Sequence, residues 1–266
     1  MKPKALILTG YGINCDEETR YAFEYAGADA VIIHINDLIA APKRLADFNI
    51  FVFPGGFSYG DDTGSGKALS NRIRSNLFDE ILEFTNRETL MLGICNGFQV
   101  MANLGIVPSG KPGLSTAALV NNKSYRYRCA WVNLKVTSGC PSVFLHGIDM
   151  LHIPVAHGEG NFYASPETLT DIETKKLAAL RYVRQDGSAA NGEFPANPNG
   201  SLNDIAALCD ATGRIMGMMP HPERGMFFSQ RDDWPLLREH FRRAGQEIPE
   251  ESDGMKIFRN AVKFFK

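Results

Sequence analysis

The chain has 266 residues, 44% of them hydrophobic and 22% charged, with a formal net charge of −2. This is the composition of an ordinary globular protein with room for a substantial core, and it gives no electrostatic reason to expect nucleic acid or an anionic membrane as partner. No apolar stretch approaches a membrane span, and five scattered cysteines without a Cys-x-x-Cys pair argue against a disulfide framework or a zinc ribbon and for a cytoplasmic protein.

The first apolar run, residues 5–8, predicts a strand entered directly rather than through a signal peptide. It leads to Gly10-Tyr11-Gly12-Ile13-Asn14-Cys15, which begins like a dinucleotide fingerprint. The third glycine is absent, however, and no clear acidic residue ends the second strand. Residues 17–26 read as a helix, 30–35 as the second strand and 50–53 as the third. Helical spacing over 68–86 precedes a fourth strand ending at Leu92. This rhythm of continuous apolar strands and helices predicts an α/β fold with a mostly parallel open sheet flanked by helices. From Arg126 the pattern changes, and alternation at 130–136 and 177–183 predicts an added antiparallel portion. Residues 191–203, rich in Pro, Asn and Gly, read as a structured loop. One domain over 1–266 fits, with the charged segment 227–253 as a candidate insertion.

The chemistry concentrates at Gly93-Ile94-Cys95-Asn96-Gly97. A Gly-x-Cys-x-Gly run between a strand and a helix is the setting of a nucleophile elbow, where the turn exposes the central side chain at the carboxyl end of the sheet. The helix N-terminus beyond it favours the thiolate. Cys95 is therefore the candidate nucleophile. A base and its orienting group are supplied by Met219-Pro220-His221-Pro222-Glu223-Arg224. Prolines after Met219 and His221 favour an extended course in which His221 and Glu223 share a face. Cys95, His221 and Glu223 compose a triad. Oxyanion donors are expected from Pro54-Gly55-Gly56-Phe57, through the amides of Gly56 and Phe57, although a plain Pro-Gly turn would look the same. His157-Gly158-Glu159-Gly160 would fit metal or deaminase chemistry, but the Pro-Cys-x-x-Cys partner is missing. The glycines make it read instead as a mobile, substrate-facing loop. Phe227-Phe228 and Phe264-Phe265 read as core or interface residues.

Taken together, these residues resemble the class I, triad-type glutamine amidotransferases, and within them the glutaminases of phosphoribosylformylglycinamidine synthase. The resemblance runs through Gly55-Gly56-Phe57-Ser58-Tyr59-Gly60-Asp61, the elbow with Phe98-Gln99, and Pro154-Val155-Ala156-His157-Gly158-Glu159-Gly160. It continues through Asn197-Pro198-Asn199-Gly200-Ser201 and Met219 to Arg224. The run Asp62-Thr63-Gly64-Ser65-Gly66-Lys67 and the ending around Met255 to Ala261 are more similar to the C-terminal amidotransferase domain of the long synthase. The resemblance implies a flavodoxin-like fold and attack of Cys95 on the glutamine amide, with His221 moving protons and Glu223 orienting it. It implies oxyanion donors near Gly56, Phe57 and Asn96, with Gln99, His157 and Glu159 around the substrate. It implies no cofactor or metal in this chain; ATP and magnesium belong to a synthetase partner, with a small bridging subunit in some complexes. It also implies purine biosynthesis as the setting, and a partner that switches on glutaminase activity through the His157 loop.

Two other readings stand beside this one. A thioesterase or dienelactone-type cysteine hydrolase would share the elbow but not the use of glutamine. A non-catalytic flavodoxin-like binding module would leave Cys95 structural and sluggish toward alkylating agents.

Overall fold

The computed structural model describes residues 2–61 and 63–266, so Asp62 in the run after Asp61 lies outside the described residues. The first half alternates β1 (Lys4–Thr9), α1 (Asp16–Ala26), β2 (Asp29–His34), α2 (Ile35–Ala40), β3 (Ile50–Phe53), α3 (Lys67–Asn76), α4 (Phe78–Asn86), β4 (Leu90–Ile94) and α5 (Asn96–Asn103). The short α6 (Ile106–Ser109) leads to β5 (Ala117–Val120), β6 (Arg128–Val136), β7 (Met150–His157) and β8 (Asn161–Ala164). The chain then forms α7 (Pro166–Thr174), β9 (Ala178–Val183), β10 (Ile205–Cys209), β11 (Ile215–Met218), α8 (Trp234–Arg243) and α9 (Asp253–Lys263).

Among the described residues, nine strands form one sheet in the order β2-β1-β3-β4-β11-β10-β9-β6-β7. The first five are mutually parallel and the rest are added antiparallel, as the change of pattern at Arg126 predicts. Strands β3 and β4 are buried throughout because helices cover both faces of the parallel block. The winding 2-1-3-4 is flavodoxin-like: the chain reverses direction across the sheet after β2, and right-handed crossovers then send α1 to one face and α3 and α4 to the other. Helix α1 meets α9 through an edge-to-face pair, Phe23 and Phe258, 5.0 Å apart, while α5 packs beside α3. Among the described residues no helix is long and apolar enough to cross a membrane.

Several elements depart from the sequence pattern for local reasons. The helix expected over 68–86 is two helices with a break at Leu77 (φ −136°, ψ 14°). Ser75 and Asn76 precede the break, and Asn76 bonds back to the Arg72 carbonyl at 2.7 Å, competing with the helix ladder. The strand expected to reach Ile35 stops at His34, whose Nδ1 accepts the Asn36 amide at 3.1 Å and so caps α2. Strand β7 was hidden by Pro154, which an edge strand tolerates. Segment 227–253 leaves and rejoins the body at one place, where Phe228 N reaches Glu250 O at 2.9 Å and Ser252 N reaches Met226 O at 2.7 Å. Its helix α8 buries no residue.

Close helix–sheet approach sets the glycine requirements. Gly93 and Gly217 pair across β4 and β11, and a Cβ on either would run into Met101 or the Phe98 ring of α5. A Cβ on Gly97 would strike the Phe53 carbonyl of β3. We therefore expect Gly97→Ala to lose about 3 kcal/mol, at the upper end of overpacking costs. Urea unfolding checks this, and an unchanged midpoint would show that α5 is not pressed against β3.

Candidate active site

Three strand ends converge at the carboxyl edge of the sheet. At the end of β4, Cys95 takes φ 49° and ψ −105° and stands at the N-cap of α5. Gly93 and Gly97 lie outside the left-handed region, so the strain of the elbow falls on the cysteine itself and the glycines serve the packing. The Cys95 amide is anchored to the Met218 carbonyl at 2.7 Å, and its thiol, 5% exposed, faces the Ala156 carbonyl at 3.7 Å.

Strand β11 delivers His221, whose amide donates to Pro154 O at 2.8 Å. His221 and Glu223 are brought together, in a single 3₁₀ turn (Pro222–Arg224) rather than in an extended segment. His221 Nδ1 and Glu223 Oε1 are 2.6 Å apart and both side chains are buried. With Nδ1–H donating to the carboxylate, Nε2 is left without a partner among the described residues and is the nitrogen available to the thiol. Burial alone would lower the pKa of this imidazole. The Glu223 charge, then the Cys95 charge, then the nearby Cys15 and Cys95 sulfurs outweigh that and raise it well above the ordinary 6.5.

The oxyanion donors differ from expectation at one position. The Phe57 amide is already committed to Gly12 O at 2.7 Å, so it has no hydrogen to offer. The Phe57 ring instead stands at the mouth of the pocket, 6.2 Å from the Tyr127 ring. Gly56 N is free of acceptors among the described residues, and Asn96 N lies in the first turn of α5, where no intrahelical acceptor exists. Gly56 N and Asn96 N are thus amides left open near the elbow among the described residues. The Asn96 side chain braces the site, accepting from Ser58 N at 3.3 Å and donating to Gln99 Oε1 at 2.9 Å. Gln99 in turn donates to the Glu159 carbonyl at 2.6 Å, so its amide is occupied in both directions.

His157 is not a second base. Its Nδ1 is 3.0 Å from Asn122 Oδ1, and burial, with a further contribution from the His221 charge, pushes its pKa down to about 3. The His157 loop is also less mobile than its glycines suggest. Asn122 Nδ2 donates to the His157 carbonyl at 2.8 Å and Asn122 Oδ1 accepts from Gly160 N at 3.0 Å. Asn199 Nδ2 donates to Gly160 O at 2.8 Å, and Ser201 Oγ accepts from Phe162 N at 3.0 Å. The loop is a pinned turn.

A cavity of about 190 Å³ opens beside the thiol, lined among others by Cys95, Asp61, Glu159, Arg126 and Tyr127. Asp61, Arg126 and Tyr127 had no site role in the sequence reading. Asp61 lies within the Gly55–Asp61 run, but its position opposite Glu159 is a product of the fold. Burial is the largest influence on the Asp61 carboxyl and raises its pKa, and the Glu159 charge adds to that rise. Glu159 Oε2 accepts from Ser65 N at 3.1 Å. A larger cavity of about 1000 Å³, between the 135–149 segment and α9, contains none of these residues.

A nucleophile elbow, a buried imidazole–carboxylate pair and open amides on a flavodoxin-like sheet suit a cysteine hydrolase, in which a thiolate attacks a carbonyl carbon. Residues 2–265 match the CobB/CobQ-like glutamine amidotransferase domain, and the chain belongs to that family. Within it, the PurQ subunit of phosphoribosylformylglycinamidine synthase from Methanococcus maripaludis (strain S2) is 50% identical over 266 residues, covering 99% of this chain and 97% of that one. The phosphoribosylformylglycinamidine synthase of Dictyostelium discoideum is 35% identical over 272 residues, spanning 98% of this chain and 20% of that longer protein. Among solved structures, PurLQS from Thermotoga maritima superposes with a TM-score of 0.70 at 28% identity, covering 100% of both chains.

The neutral His157 has a consequence for stability. The unfolded chain takes up a proton near pH 6.5 that the folded chain refuses until about pH 3. This contribution is therefore fully present above pH 6.5 and is lost as pH falls through that window, by up to roughly 4–5 kcal/mol. His157→Gln should flatten the curve of unfolding free energy against pH between 6.5 and 3. An unchanged slope would assign the acid sensitivity to another group.

Proposed function

We propose that this chain is the glutaminase of a phosphoribosylformylglycinamidine synthase. It hydrolyses glutamine to glutamate and ammonia and passes the ammonia to a synthetase partner. That partner converts formylglycinamide ribonucleotide to its amidine in cytoplasmic de novo purine biosynthesis. The observation that carries this reading is the 50% identity, over nearly the full length of both chains, to the PurQ subunit. The meeting of Cys95 with the His221–Glu223 pair supports the chemistry.

The glutamine side chain enters beside Cys95, and the sulfur attacks its amide carbon. The carbonyl oxygen becomes an oxyanion held by Gly56 N and Asn96 N, each such donor being worth about 10²–10³ in rate. His221 Nε2–H gives its proton to the departing nitrogen, ammonia leaves, and a γ-glutamyl thioester remains. Water then attacks the thioester, His221 accepts its proton, and glutamate departs as the Cys95 thiolate re-forms beside the protonated imidazole. Glu223 holds the imidazole in the tautomer this requires. Asp61 and Glu159 present two carboxylates to the α-ammonium of glutamine, and Arg126 offers a cation to its α-carboxylate. No cofactor or metal is assigned to this chain. ATP and magnesium act on the synthetase partner, for which the PurLQS neighbour is support, and a small bridging subunit completes the complex.

Cys95→Ala should abolish glutamine-dependent amidine synthesis in the assembled complex while ammonium-dependent synthesis continues. Persistence of glutaminase activity in this variant would remove Cys95 as nucleophile. His221→Ala should slow glutamine turnover about 10²–10⁴-fold, and Glu223→Gln should cost less because it orients the ring without carrying the proton.

Asp61→Asn tests the ammonium site. It should raise the KM for glutamine about 10–100-fold, the worth of a charged hydrogen bond, with kcat little changed. A loss confined to kcat would show that Asp61 shapes the oxyanion site instead.

A further inference from the structure

The turn from Gly10 to Cys15 has no part in the chemistry above, yet it is built into the site. The amides of Asn14 and Cys15 both donate to Gly55 O, at 3.3 and 3.2 Å, while Phe57 and Tyr59 donate back to Gly12 and Tyr11 at 2.7 and 2.8 Å. This ladder lays the Cys15 side chain, 1% exposed, against the catalytic pair. A Cβ on Gly55 would fall 2.7 Å from His221 Cε1 and 3.2 Å from both His221 Nδ1 and Cys15 Sγ, so the bare glycine lets imidazole and thiol share one gap. The sulfur, a ring nitrogen of His221 and a Glu223 carboxylate oxygen lie within 4.8 Å of one another. The same sulfur accepts a hydrogen bond from Arg224 Nη2 at 2.9 Å.

We propose that Cys15 is a positioning residue for the base: its sulfur takes the Arg224 guanidinium and borders the His221 ring, holding the imidazole in line with Cys95. A hydrogen-bond acceptor beside an imidazole favours the charged ring. A charged His221 is what keeps Cys95 available as a thiolate between turnovers. The groups that bear on His221 are Glu223 and Arg224 on its own turn, Cys95 on the elbow and Cys15 at the head of α1, with His157 at the end of β7 and Tyr127 just before β6. Cys15 contacts the pair without touching the reacting carbon, so its effect passes through His221.

This inference rests on Cys95 and His221 being nucleophile and base, and its test separates the two ideas. The full chain and its Cys15→Ala and Cys15→Ser variants are alkylated with iodoacetamide across a pH series, and the label is located by peptide mapping. In the parent, Cys95 should react at a constant fast rate until the imidazole loses its proton. In Cys15→Ala that upper limb should move to lower pH by about one unit, the effect of losing a favourable neighbour. Serine, which restores an acceptor, should return most of the shift. Arg224→Lys, which keeps the cation but loses the guanidinium contact with the sulfur, should move the limb the same way and serves where an alanine chain does not fold. A label on Cys95 with the limb unmoved in the folded variants overturns the positioning role alone. Fast labelling at neutral pH and below on another cysteine, with Cys95 slow, overturns the proposed nucleophile as well; the exposed Cys129 should react only as the pH rises.

Discussion

The parallel pairing of β4 with β11 is the constraint on which the rest of the structure depends. It joins Leu90–Ile94 to Ile215–Met218, segments more than a hundred residues apart, and ends with the Cys95 amide on the Met218 carbonyl. A one-residue slip would turn every side chain of β11 to the opposite face and carry His221 away from the elbow. The register is held by size. Gly93 faces Gly217 across the two strands, and only that bare pair admits Phe98 and Met101 of α5. The glycines of the elbow thus fix where the helix sits, and the helix fixes where the strained cysteine points. A non-glycine residue at positive φ costs on the order of 1–3 kcal/mol. The dry packing around α5, in which every residue from Asn96 to Ala102 is buried, is large enough to hold it.

The sequence disclosed the residues whose chemistry is local. The elbow and the His221–Glu223 spacing are each contained within a few positions, the βαβ rhythm repeats over neighbouring segments, and each survives in the structure. Even so, the physical reasons differ in part. The imidazole and carboxylate meet because a proline starts a 3₁₀ turn, where an extended course was expected. Phe57 was legible as a neighbour of the site but not as an amide already bonded to Gly12, because that partner comes from the end of β1. Asp61, Arg126 and Tyr127 were silent for the same reason. They join the pocket only when the end of β3 and the start of β6 are folded to one edge. The turn before Cys15 looked like a failed dinucleotide fingerprint, since nothing local announces that it pairs with Gly55 and Phe57.

His157 shows why a motif does not name its own role. A histidine and a glutamate between glycines suggest acid–base work and freedom to move. In the fold, Asn122 takes up the histidine's Nδ1, its carbonyl and the Gly160 amide, and Asn199 approaches from the other side. Buried polar groups in such a network are costly unless every member is matched, and once matched they rigidify the segment. The two histidines therefore diverge under similar burial. His221 has a carboxylate at hydrogen-bond distance and favours its charged form, while His157 has only a neutral amide and stays neutral.

That divergence bears on how a partner could control the site. A switch needs an element with two arrangements of similar energy, and the His157 turn has many bonds to break. The segment on the opposite wall carries backbone strain instead. Tyr59, Gly60 and Asp61 all lie at positive φ, and Tyr125 and Tyr127 are exposed at the pocket mouth. The Asp61 carboxyl is held by Ser65 and the Gly66 backbone, with a longer bond from Asn96 at 3.4 Å. The strain beside the cavity therefore sits in the 59–61 turn, across from the pinned His157 turn. Asn96 ties the 59–61 turn to the elbow, its side chain donating to Asp61 while its amide opens α5.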